Sequence, residues 1–386
     1  GGREQIVRLD PGGIPRDLLP DGFNARTRVH EYGGGAWWAR GETVFMTNFA
    51  DQRMYRLDVG DPQPLPVTAL PPTAQAWRYA DGRLTPSGRW VMCVRERHEG
   101  SESAQDVYNE LVALRVDGST PPHVIVSGRD FFAAPRISPD GRQLAWITWD
   151  HPNMPWDGTE LWLGRVAVRD GVLRVEDARR MAGGPDESLM EPVWGRHGSL
   201  FVISDRTGWW NVHRVDGTDR LTNLDPADRE VGGPAWVFGA AHVASASDGT
   251  VLAATVQDGQ ALLVTIPESG VPTEHALPGT AVRALAVDGD RLVFIVTAPD
   301  RGPEVVEADL ANPSALRVLR PAADPELGVG LVSRPRRLSF RSAGRTAHAW
   351  YYSPTNPDVQ PPAGERPPLL IFVHGGPTSA ADPAFD

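Results

Sequence analysis

Between Tyr32 and Leu319 the apolar residues fall in short runs of about four to six, each bounded by turn residues, and no sustained helical periodicity is present. The clearest unit reads Arg136-Ile137-Ser138-Pro139-Asp140-Gly141-Arg142-Gln143, then Leu144-Ala145-Trp146-Ile147-Thr148, then Glu160-Leu161-Trp162-Leu163. Related units begin at Tyr32, Arg83, Glu191, Gly233 and Arg283, so their starts lie roughly 42 to 56 residues apart. That period fits four-stranded β-propeller blades and is too long for helix-pair repeats such as ankyrin. Six whole blades are predicted in this way. Residues 1–19, with Gln5-Ile6-Val7-Arg8-Leu9-Asp10 and Asp17-Leu18-Leu19, read as the outer strands of a seventh blade whose inner strands would lie upstream.

After Leu319 the rhythm changes. Pro321–Leu331 has the composition of a linker, Leu338–Phe340 and His348–Tyr352 read as strands, and a proline-rich loop follows from Pro354 to Pro368. Leu369-Leu370-Ile371-Phe372-Val373 is an unbroken apolar run, the pattern of a strand buried on both faces of an α/β sheet. It leads straight into His374-Gly375-Gly376-Pro377, the arrangement by which α/β-hydrolases bring a backbone N–H to a developing oxyanion. The expected fold is therefore mainly β. A seven-bladed propeller with an incomplete first blade occupies 1–19 and 20–320, a linker 321–336, and the first strands and oxyanion loop of an α/β-hydrolase domain 337–386. That domain would need a Gly-x-Ser-x-Gly elbow, and the sequence contains none.

Composition narrows the partners. The net charge is −11, every base is an arginine, and no basic cluster occurs, which argues against nucleic acid. The single cysteine, Cys93, lies inside an apolar run, so neither a disulfide framework nor a cysteine metal site is available, and no cofactor is expected. No run of about 18 apolar residues suggests a membrane span. Cytoplasmic residence is the expectation.

Several stretches are similar to the acylaminoacyl-peptidase or dipeptidyl-peptidase branch of the prolyl oligopeptidase family of serine peptidases. They are Arg28–Ala36 (RVHEYGGGA), Trp149–Trp162 (WDHPNMPWDGTELW), Ser204–Asn211 (SDRTGWWN) and the tail from Gly344 to Ser379. The resemblance implies a cytoplasmic serine peptidase whose propeller covers the active site and admits short peptides, acting through an acyl-enzyme. On it, Gly376 would donate its N–H to the oxyanion, with Gly375 and His374 shaping the loop. The serine, acid and histidine would be supplied by a C-terminal catalytic segment, and the isolated chain would be inactive. A homo-oligomer is compatible with this layout. Four further residues are candidates for substrate contact. Glu31 could attract a peptide amino terminus, although the glycines after it also suit a bulged strand entry. Arg206 could meet a carboxylate, while the simpler reading of Asp205-Arg206 is a turn held by the aspartate. Asp150 and Trp156 lie in a proline-stiffened loop, read as structural or subsite-lining and not as a metal site. Trp77, Trp146, Trp162, Trp194 and Trp236 are expected between blades. Two other readings stand beside the peptidase: a non-catalytic propeller scaffold, and an esterase.

Overall fold

The computed structural model describes all residues except 1, 11, 101–105, 269, 324–329, 377 and 386. It contains six four-stranded antiparallel sheets, each a meander of consecutive strands. Their first strands are Trp37–Arg40, Trp77–Leu84, Phe131–Ile137, Leu189–Trp194, Val243–Ser245 and Ala281–Asp288, which begin blades 1 to 6. Consecutive first strands touch in that order. Residues from five of them line one cavity, which identifies the first strand of each sheet as the innermost and the cavity as the axis of a β-propeller.

Alternation along each second strand builds the core, because successive side chains point to opposite faces. In blade 2, Val91 and Cys93 pack toward Phe45 and Met54 of blade 1, while Met92 and Val94 pack toward Leu144 and Trp146 of blade 3. In blade 3, Ala145 and Ile147 face Leu200 and Val202 of blade 4. Blade 5 repeats the device, with Val251 and Ala253 toward blade 4 and Leu252 and Ala254 toward blade 6. Each fully buried Val, Leu or Ile contributes about 1.5–3 kcal/mol, and no blade can bury both faces alone. Cys93 is fully buried, and burial pushes its thiol pKa up, as expected for an inert thiol.

Two expectations differ from what the described residues show. The six whole blades expected are present, but the described residues form six blades and no seventh. The N-terminal strands Val7–Leu9 and Pro15–Asp17 form a two-stranded ribbon that packs Ile6 and Leu19 on Val44, Met46 and Tyr55 of blade 1. The tail, moreover, shows no α/β-hydrolase sheet, and no α-helix occurs among the described residues. Its one regular element is a hairpin, Pro335–Ser342 with Arg345–Tyr352, which docks on blade 5, while the end of the chain reaches blade 6. Trp350 lies over Gly259, Arg337 pairs with Asp258, and the Phe385 amide donates to the Ala298 carbonyl. Leu369–Val373 is not a strand: it has no ladder partner among the described residues and its side chains are exposed, Phe372 by 86%. A strand buried on two faces takes its stability from neighbouring strands and covering helices, and the run lacks both here.

Candidate functional site

The loop entering blade 1 and the connector from blade 4 to blade 5 meet over the axis. Phe238 donates its N–H to the Gly33 carbonyl at 2.9 Å, and Gly34 bridges Phe238. Gly34 has φ +86°, and a Cβ there would stand 2.4 Å from the Phe238 carbonyl oxygen, so this close approach requires glycine. Residues 235–240 also share a cavity with the first strands of blades 2, 3 and 4. The blade-1 loop also reaches blade 3, where His30 meets Phe131 and Trp149, so loop and connector together form a strap over the tunnel.

Aromatic rings cluster on this strap. Trp236 packs against Trp156 at 4.3 Å with the rings tilted by 40°, and meets Tyr32 edge-on at 5.3 Å. The Trp236 indole N–H donates to Thr378 Oγ1 at 3.3 Å, which brings the segment following His374-Gly375-Gly376 to the mouth of the propeller. Trp236 is 42% exposed and is not the inter-blade core residue expected from its repeat position, whereas Trp146 is buried as expected. Beneath the rings, His30 sits among Phe131, Trp149 and Phe238. Burial drives its pKa down to about 4; Asn109 nearby favours the proton slightly, but neither His30 Nε2 nor Asn109 Oδ1 completes a hydrogen bond.

The remaining sequence candidates are placed as follows. Glu31 is not an unpaired carboxylate: Arg78 donates to it at 2.7 Å and Arg28 at 3.0 Å. Burial acts to raise its pKa, but the two guanidinium groups outweigh it and hold the carboxyl low, so an incoming ammonium meets a charge already compensated. The Arg206 fork is filled by Glu187, at 2.8 and 3.0 Å, and Asp205 accepts the Ser188 N–H at 2.8 Å, as in the turn reading. Asp150 accepts the Asp130 N–H at 2.7 Å and pairs with Arg129. Of these four, Trp156 is the one that contacts the aromatic cluster at the mouth, through Trp236. His374, Gly375 and Gly376 are exposed, and a Cβ on either glycine would meet nothing within 4 Å. Pro377 lies outside the described residues.

No family model and no curated protein matches the chain. Among solved structures, a puromycin-hydrolyzing peptidase of Mycobacterium tuberculosis superposes with a TM-score of 0.90 at 37% identity, covering 99% of this chain and 60% of that one. A puromycin hydrolase gives 0.89 at 35% identity with the same coverages. Prolyl oligopeptidase B from Galerina marginata shares the fold, with a TM-score of 0.64 at 11% identity over 88% of this chain and 49% of that one. The chain carries the propeller of the prolyl oligopeptidase family. It spans about 60% of the length of the two puromycin-cleaving relatives.

Within this family propeller the structure reveals a feature that sequence reasoning missed. The first strands of blades 2, 3, 4 and 6 each carry a register shift with a residue at positive φ: Asp81, Ala134, Glu191 and Ala284. Two of these residues are acids that reach into the next blade. Asp81 accepts the Ala134 N–H and an Arg136 N–H, both at 2.9 Å, with Arg83 at 3.4 Å. Glu191 accepts the His242 N–H at 2.7 Å and engages the His242 ring. The carboxylates thus clasp blade 2 to blade 3 and blade 4 to blade 5 around the axis. The only sequence signal was an acid shortly before or at the start of a repeat.

Proposed function

We propose that this propeller serves a serine peptidase that cleaves short peptides through an acyl-enzyme, with the nucleophile, acid and base supplied by sequence outside these 386 residues. The observation that carries the reading is the match over 99% of the chain, at 37% identity, to a peptidase that hydrolyses puromycin. The mouth supports it: Trp236, Trp156 and Tyr32 offer an apolar platform beside Thr378, suited to a peptide side chain. On this reading Gly376 donates its N–H to the oxyanion of the tetrahedral intermediate, His374 and Gly375 shape the loop, and Leu369–Val373 enters the sheet of the catalytic segment, which covers its apolar side chains. The strap over the axis favours substrate entry between propeller and catalytic segment rather than through the tunnel. No helix among the described residues is long and apolar enough to cross a membrane. The cytoplasmic placement rests on the resemblance alone.

The test is hydrolysis of aminoacyl-4-nitroanilides by the 386-residue chain, alone and joined to the catalytic segment. No turnover alone and turnover when joined is the expected result. Turnover by the chain alone would refute the assignment.

A further inference from the structure

On the far side of the strap, the ends of the innermost strands converge in a second part of the tunnel. A cavity of ≈ 480 Å³ is lined there by Arg40, Arg83 and Arg136, together with Ser138, Trp194 and Ser245. The three arginines come from blades 1, 2 and 3, and no Asp or Glu lines this cavity. Arg40 is oriented by donating to the Thr85 and Pro86 carbonyls, both at 2.9 Å, neutral acceptors that leave its charge uncompensated. Asp81 serves both Arg136 and Arg83. Among the described residues, Nε and Nη2 of Arg83 and of Arg136 donate no hydrogen bond. Asp140, beside the rim, accepts the Ser138 hydroxyl and the Arg142 N–H through Oδ1, and its Oδ2 lies 4.0 Å from the Arg142 guanidinium, so its charge is paired outside the cluster. Three guanidinium groups thus share one adjacent carboxylate, leaving about two positive charges without a partner.

Burial, and then the like charge of Arg136, push the pKa of Arg83 down to about 10, with Asp81 offsetting only part of this. Such a cation is stabilised by an incoming anion. Guanidinium forks held on three rigid strands match the planar or tetrahedral geometry of carboxylate and phosphate oxygens.

We propose that Arg40, Arg83 and Arg136 form a binding site for a small dianionic oxyanion at the mouth of the tunnel opposite the strap. The site does not depend on peptide hydrolysis. Its ligand belongs to the phosphate or dicarboxylate class, in which two negative charges balance the surplus, and Ser138 and Ser245 provide hydroxyl groups on the same wall.

The experiment is isothermal titration of the 386-residue chain with inorganic phosphate and, separately, with succinate, at pH 7.5 and matched ionic strength, with chloride as control. At least one dianion is expected to bind one per chain; tighter phosphate binding identifies a phosphate-type ligand and tighter succinate binding a dicarboxylate. Arg83→Gln is expected to weaken binding by about tenfold or more. Asp81→Asn, which removes the local counter-charge, is expected to strengthen it several-fold in protein that remains folded. Should Arg83→Gln fail to fold, Arg40→Gln, on the exposed rim, reads the same loss. Neither dianion binding better than chloride overturns the proposal, and so does wild-type affinity in a folded Arg83→Gln or Arg40→Gln chain.

Discussion

The clasp at Asp81 makes a quantitative claim about what holds the blades in a ring. Asp81 is 2% exposed and sits at φ +52°, where Asn is tolerated, so Asp81→Asn keeps the backbone and one acceptor oxygen while removing the charge. Burial acts to raise the Asp81 pKa, but Arg136 and then Arg83 outweigh it and hold the carboxyl below its ordinary value, so the charged form is the one the fold uses. Removing one partner of a fully buried ion pair costs about 3–5 kcal/mol. Here the amide can still accept the Ala134 N–H, and a third of the Arg83 side chain reaches water, so about 2–3 kcal/mol is expected. Guanidinium unfolding followed by tryptophan fluorescence reads this as a fall in midpoint at unchanged slope. A cycle with Arg136→Gln is expected to recover about 1–2 kcal/mol as coupling between two residues in direct contact. Asp117→Asn is the control, since its pair with Arg115 lies at the surface, 33% and 51% exposed, and its loss is expected to leave the midpoint nearly in place. An Asp81→Asn midpoint within about 0.5 kcal/mol of wild type would refute the clasp.

Three further outcomes follow from the same structure. Because the folded pKa of His30 lies at about 4, below its unfolded value of 6.5, its contribution is complete above pH 6.5 and lost as pH falls toward 4; melting profiles should lose about 3 kcal/mol over that window, and His30→Leu should flatten them. His242 behaves oppositely: burial lowers its pKa, but Glu191 outweighs this and raises it, so stability is complete below pH 6.5 and declines as pH rises through the folded value, a dependence that Glu191→Gln should abolish in the same melts. Gly34→Ala places a Cβ 2.4 Å from the Phe238 carbonyl at a positive φ, and is expected to detach the strap, seen as faster hydrogen exchange at the Phe238 amide.

Much of the propeller is legible in the sequence because its turns and alternation are local. The Ser138-Pro139-Asp140-Gly141 turn stands where the first strand of blade 3 meets the second, and Leu144–Thr148 falls within the observed Gln143–Trp149. What the sequence conceals is set by distant partners. Leu369–Val373 has the composition of a buried strand, but a strand forms only where a neighbour completes its ladder. Trp236 follows Pro234-Ala235 as a core tryptophan might, yet the connector carries it over the axis and into solvent. The ion pairs of Glu31 and Arg206 are hidden from the sequence because Arg78 and Glu187, which neutralise them, lie 47 and 19 residues away. The three tunnel arginines lie at or near the C-terminal ends of three unrelated-looking strands, and only ring closure brings them together.

The proposed function stands or falls on the loop following Val373 delivering a backbone amide to the scissile carbonyl. Gly376→Pro removes that amide while leaving the blades untouched, and its kcat on an aminoacyl-4-nitroanilide can be measured in the chain joined to its catalytic segment. The account predicts a fall in kcat of about 100-fold or more with little change in KM. A kcat equal to wild type would contradict it.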